Sequence, residues 1–96
     1  MVVHIVMFKF KEENKEQNIQ KVKEALESLP SKIACLVSLE VGVNFAQEQR
    51  AMDLSLYSTF QTKEDLASYA TDEAHLEVVK LIKEVTVESK VVDYTL

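Results

Sequence analysis

Residues 2 to 10, Val-Val-His-Ile-Val-Met-Phe-Lys-Phe, are a short run rich in β-branched and aromatic side chains, and they predict a first strand. Alternation puts Val2, Val6, Phe8 and Phe10 on one face with His4, and Val3, Ile5 and Met7 on the other. From Glu16 to Leu29 the pattern changes: Ile19, Val22, Leu26 and Leu29 recur at three- and four-residue steps among Glu, Lys and Gln, which predicts an amphipathic helix. Asn14 and Gln17 have cap and box spacing at its start, and Pro30 stops it. Ile33 to Val43 sets Cys35, Val37, Leu39 and Val41 against Leu36, Ser38 and Glu40, a second strand punctuated by Gly42 and Asn44. The polar stretch from Phe45 to Ala51, which carries the only arginine, Arg50, reads as a loop.

Period two returns from Met52 to Phe60, with Met52, Leu54, Leu56 and Phe60 on one side and Asp53, Ser55, Tyr57 and Thr59 on the other. Thr62 to Asp65 has capping-box spacing and opens a short helix through Leu66, Tyr69 and Ala70. Thr71 or Asp72 caps a further helix from about Glu73 to Glu84, with His75, Val79 and Ile82 on one side. Lys90 to Leu96, containing Val91, Val92 and Tyr94, closes the chain as a fourth strand.

The order strand, helix, strand, strand, helix, strand predicts one α+β domain over residues 1–96. Its expected form is a ferredoxin-like βαββαβ unit with a four-stranded antiparallel sheet and helices on one face. A first strand apolar on both sides conflicts with a two-layer monomer, which leaves one sheet face in water. Covering Val3, Ile5 and Met7 with a second copy resolves the conflict, so a homodimer joined through its sheets is expected.

Composition narrows the function. Hydrophobic residues make up 47% and charged residues 28% of the 96, with one Gly and one Pro, as in an ordinary folded domain. A net charge of −5 and scattered cations argue against nucleic acid and anionic membranes as partners. The apolar run near the start is too short for a bilayer span or an export signal, and the single Cys35 suits a reducing cytoplasm. With Gly42 the only glycine, no phosphate-cradling loop exists, and His4 and His75 lack the spacing of a metal centre. Neither cofactor nor metal is therefore expected.

Several segments, taken together and in order, resemble the stress-responsive α/β-barrel (Dabb) family. They are the opening Val3-His4-Ile5-Val6-Met7-Phe8-Lys9-Phe10-Lys11, the Leu29-Pro30 step, Asp53-Leu54 through Phe60, Glu64-Asp65-Leu66, Tyr69 with Ala74-His75, and Asp93-Tyr94. The resemblance implies a dimeric α/β barrel made from two four-stranded sheets. The family includes plant stress proteins without established catalysis and plant polyketide cyclases of the olivetolic acid cyclase type. In the latter, a strand-one histidine, a helix tyrosine and a second histidine act on a β-polyketone without cofactor. His4, Tyr69 and His75 stand at matching positions, and Asp93 matches a carboxylate that could orient a histidine. The lining departs from the cyclases: Ile19 and Val22 replace aromatics, and Asp72-Glu73 replaces a His-Pro pair, so the resemblance does not fix the substrate.

Chemistry supports the same residues. A neutral imidazole at His75 can take a proton from a carbon acid and the Tyr69 phenol can donate to the oxygen where charge develops. The start of a helix favours an uncharged His75, while Asp72 and Glu73 favour the charged form. Parity assigns His4 to the helix-covered face, so the expected pocket is intramolecular and lined by Val6, Phe8, Ile19, Val22 and Leu56. Ordinary packing competes at each position: a hydrogen-bonded core histidine at His4, a tyrosine with its hydroxyl at a wet edge, a strand-end carboxylate bonded to backbone or lysine at Asp93. Asp53, Ser55 and Tyr57 are expected in the contact between sheets. Two function classes follow: an acid–base cyclase, lyase or isomerase on a small apolar ligand, or a non-catalytic dimeric stress or scaffold protein. Haem-handling or cofactor-free oxygenation, known on related barrels, finds no ligand pattern or tryptophan here.

Overall fold

The computed structural model describes residues 1–96. Its elements are β1 (Val2–Phe10), α1 (Lys15–Glu27), a 3-10 turn (Leu29–Ser31), β2 (Leu36–Val43), β3 (Leu54–Phe60), α2 (Lys63–Thr71), α3 (Glu73–Val85) and β4 (Thr86–Thr95). The four strands form one antiparallel sheet in the order β2-β3-β1-β4. The ferredoxin-like α+β architecture is as expected, with three helices because the α2–α3 corner is a true break.

That corner is built by Asp72. It ends α2, and its carboxylate accepts from the Ala74 N–H at 2.8 Å to begin α3. Thr62 likewise accepts from the Asp65 N–H at 3.0 Å to start α2. Each cap stabilises its helix by about 1 kcal/mol. Across the corner, Tyr69 in the last turn of α2 meets His75 in the first turn of α3.

The helices cover the sheet face that carries Val2, His4, Val6, Phe8 and Phe10, and there Phe10, Leu26, Leu29, Leu54 and Phe60 are almost wholly buried. Burial of side chains of this size stabilises by about 1.5–3 kcal/mol each. No helix is long and apolar enough to cross a membrane.

The structure departs from the sequence reading in several places. Asn14 takes a left-handed backbone (φ 53°), and its side chain makes no cap bond, so the expected cap and box at α1 do not form. β2 begins at Leu36 rather than Ile33, and its register slips between Leu36 and Ser38. That bulge inserts Val37, which is 48% exposed, and returns Leu36 to the same face as Leu39 and Val41; strict alternation had grouped Val37 with them. β3 begins at Leu54, not Met52. Asp53 has partners within its own chain: its carboxylate accepts from the Phe10 N–H at 2.7 Å and lies 3.5 Å from the Lys15 ammonium, tying the end of β1 to the start of α1. β4 starts at Thr86, four residues before Lys90, because an edge strand open to water needs no apolar alternation to pair.

The open face of the sheet is ordered in rows across β3, β1 and β4: Thr59–Val3–Tyr94, Tyr57–Ile5–Val92 and Ser55–Met7–Lys90. Val3 is 0% exposed within the single chain, so it needs no partner to be covered, contrary to expectation. Ile5 is half-buried, and Met7, at 39%, is exposed.

Candidate functional site

Register brings His4 opposite Asp93 on the helix-covered face, and His4 Nδ1 hydrogen-bonds an Asp93 carboxylate oxygen. A carboxylate only accepts, so Nδ1 carries the hydrogen and Nε2 is the free ring nitrogen. The sequence reading left Asp93 as a strand-end carboxylate bonded to backbone or lysine, or as a group that could orient a histidine, His75 in particular. The structure pairs it with His4 instead, because β4 hydrogen-bonds to β1 and not to α3.

His75 is oriented by backbone. Its Nδ1–H donates to the Ala70 carbonyl at 3.2 Å, so here too Nε2 is left free. Burial lowers the His75 pKa below the ordinary histidine value, assisted by the nearby His4 and opposed by the Ala70 hydrogen bond and the Asp72 carboxylate. The neutral form therefore dominates at pH 7.

Tyr69 packs close to both imidazoles. Its ring centroid is 4.2 Å from that of His75, 5.0 Å from Phe60, and 6.2 Å from His4 in an edge-on arrangement. The residue is 1% exposed, and no group of the chain hydrogen-bonds its hydroxyl. The hydroxyl is thus not at a wet edge, as an ordinary packing tyrosine would have it. Burial pushes its pKa up to about 12, which keeps the phenol protonated as a donor.

An unpaired buried hydroxyl costs about 1–3 kcal/mol. Tyr69→Phe removes it at little change in volume, so this variant is expected to melt higher than wild type, by about 4 °C or more for a domain of this size. A thermal melt below wild type would show that the hydroxyl is satisfied in the native protein.

The pKa of His75 has a second consequence. With the folded value below the ordinary 6.5, the unfolded chain takes up the proton first as pH falls. The stability His75 contributes is complete above about pH 6.5 and is lost as pH drops through the depressed folded value. Urea unfolding at about pH 7.5 and about pH 5.5 should show wild type losing more stability than His75→Asn. Equal losses in the two proteins would contradict the assignment.

His4 and His75 both line a cavity of about 290 Å³, with Val6, Phe8 and Leu56 on the sheet side, whereas Tyr69, expected in the same pocket, is packed in the core and does not border it. Two expected lining residues are elsewhere. Val22 is fully buried and Ile19 packs against the same core, because α1 lies over β2 and beside α3 and fills the helix–sheet interior with those side chains. From α1 only Leu26 reaches the cavity. The remaining wall comes from α3, through Val79, Ile82 and Lys83, and from β4, through Thr86, Ser89 and Val91. The step from His75 to Val79 and Ile82 was visible as a helix face; the contribution of β4 required its register.

A wider hollow of about 530 Å³ lies by the Asn44–Met52 loop, but there Arg50 is paired with Glu48 and Lys90 with Glu88. No group of three metal-ligating side chains converges anywhere in the chain.

The stress responsive A/B barrel domain family model matches residues 2–96. No functionally curated protein matches the sequence. Among solved structures, a dimeric protein of unknown function with a ferredoxin-like fold from Bacteroides fragilis is 34% identical, over 99% of this chain and 95% of that one, at a TM-score of 0.89. A dimeric ferredoxin-like protein of unknown function from Thermobifida fusca is 18% identical, over 99% and 90% of the two chains, at 0.88. A hydroxynitrile lyase from Passiflora edulis is 18% identical, over 97% and 90%, at 0.86.

Proposed function

The chain belongs to the stress responsive A/B barrel domain family, and we propose that it is a homodimer whose helix–sheet pocket carries out cofactor-free acid–base chemistry on a small, largely apolar carbonyl compound, in the manner of a cyclase or lyase. Neutral His75 is the base that removes a proton from the carbon beside the carbonyl. Donation from the Tyr69 phenol to the carbonyl oxygen, where negative charge develops, requires its enclosed hydroxyl to open to the cavity as the ligand binds. His4, its tautomer set by Asp93, returns or relays the proton through Nε2. Val6, Phe8 and Leu56 hold the apolar part of the ligand and exclude water.

The observation that carries this reading is the buried, unpartnered Tyr69 hydroxyl on a ring flanked by two histidines whose Nδ1 atoms are both committed. A fold that merely packed would lose stability there for no return. That a hydroxynitrile lyase shares the fold supports lyase-type chemistry by analogy alone. The Bacteroides fragilis relative's dimeric state, together with the apolar open face, supports the homodimer. The alternative, a non-catalytic dimeric stress or scaffold protein, draws on that open face and on the family's inclusion of proteins without established catalysis, but gives the hydroxyl no purpose.

Deuterium exchange separates the two. A panel of β-diketones in heavy water, followed by proton NMR, should lose the signal of the carbon between the carbonyls faster with protein than with buffer of equal basicity. No acceleration across the panel would favour the non-catalytic reading.

A further inference from the structure

The cavity has a second polar end. Lys83 follows His75 by eight residues on α3, so along the helix axis the two are separated by about 12 Å. The facing strands keep the same direction: β1 carries His4 opposite Asp93 at one end of the cavity and Phe8 opposite Ser89 at the other, about 13 Å away. All four of His4, His75, Lys83 and Ser89 line this one cavity, and the stretch between them is apolar, walled by Val6, Leu56, Val79, Ile82 and Val91.

The groups at the far end are uncommitted. Lys83 is exposed and, like six other lysines of the chain, forms no ion pair; what sets it apart is that it is the only lysine to border this cavity. The Ser89 hydroxyl makes no hydrogen bond within the chain, whereas the Thr86 hydroxyl donates to the Ile82 carbonyl at 2.8 Å. The carboxyl end of a helix ordinarily repels anions. Here that effect is reduced, because the Ile82 carbonyl is bonded by Thr86 and the Val85 carbonyl accepts from the Lys11 N–H at 2.9 Å. Lys83 also opposes the helix dipole, but that role alone does not require it to border the cavity.

We propose that the ligand is an amphiphile with charge at one end: its carbonyl lies beside His4 and His75, an aliphatic segment fills the middle, and a carboxylate is held by the Lys83 ammonium and the Ser89 hydroxyl. The substrate class is therefore a medium-chain keto acid rather than a neutral ketone. This deepens the acid–base reading and rests on it.

The test uses two probes, a medium-chain fatty acid bearing a ketone next to its terminal methyl group, and the methyl ester of the same acid. Binding is measured by calorimetry and deuterium exchange beside the ketone by NMR, on wild type, Lys83→Met, Ser89→Ala and His75→Ala. Wild type should bind the acid about tenfold more tightly than the ester, a preference that shrinks with added salt. Lys83→Met should abolish the preference and Ser89→Ala reduce it, while His75→Ala should keep the preference and lose exchange. Equal binding of acid and ester, with exchange still accelerated, would overturn the anionic end and leave the acid–base site standing. No binding of either probe and no exchange would overturn both.

Discussion

Replacing His75 by Ala is expected, on the proposed acid–base chemistry, to slow protein-dependent carbon-acid exchange by about a hundred- to ten-thousand-fold, the usual worth of a positioned general base. The expectation follows from how the ring is held. Its Nδ1–H is fixed by the Ala70 carbonyl, so the lone pair of Nε2 is the only basic position left, and burial keeps that position unprotonated near neutrality. Because the depressed pKa lies below the ordinary histidine value, kcat/KM should rise with pH in the acid range and level off below about pH 6.5. The variant should lose this rise along with the rate. Binding should change little, since the apolar walls from Val6, Phe8 and Leu56 remain. A structural role for His75 predicts something else: lower stability, weaker binding and an unchanged pH profile of whatever exchange persists. Wild-type exchange rates in His75→Ala would remove His75 from the chemistry altogether.

The two halves of that site were not equally legible in the sequence. His4 was placed correctly on the helix-covered face because strand parity is strict within an unbroken strand such as β1. His75 and Tyr69 were placed by capping, since Asp72 signals a helix start whose first turn carries one of them and whose preceding turn carries the other. Asp93 was found, but its partner was not. Pairing between β1 and β4 spans 89 residues of chain for His4 and Asp93, and no local pattern states that register. The same gap hid Ser89 and Val91 from the cavity. For Val37 the failure had another cause: a bulge changes parity within a strand, and its sequence looks like unbroken alternation. Ile19 and Val22 were misplaced because a helical stripe reveals which side faces inward without revealing whether it meets packed atoms or a cavity.

On the open face of the sheet, Ile5→Asp is expected to dissociate the proposed homodimer, raising its dissociation constant about a hundredfold or more. Ile5 sits at the centre of its row, between Tyr57 on β3 and Val92 on β4, and Tyr94 from the adjoining row adds a further exposed apolar side chain. A second sheet laid on this surface would close over Ile5 first, and a carboxylate there would be buried without a counter-ion, at a cost of about 3 kcal/mol or more. Met7→Asp should do less. Its neighbour across the row is Lys90, whose ammonium already accompanies Glu88 at 3.3 Å and can turn toward a new carboxylate, and the rest of that row is the small Ser55 and Gly42. Val3 gives the control, because it is covered within its own chain: a change there should unfold the protomer before it separates the pair. Sedimentation of wild type and both variants at micromolar concentration, with circular dichroism to show that each remains folded, ranks the three sites. A folded Ile5→Asp protein that sediments as wild type does, or a wild type that is itself monomeric, would mean that the apolar rows of β1, β3 and β4 face water in the working molecule.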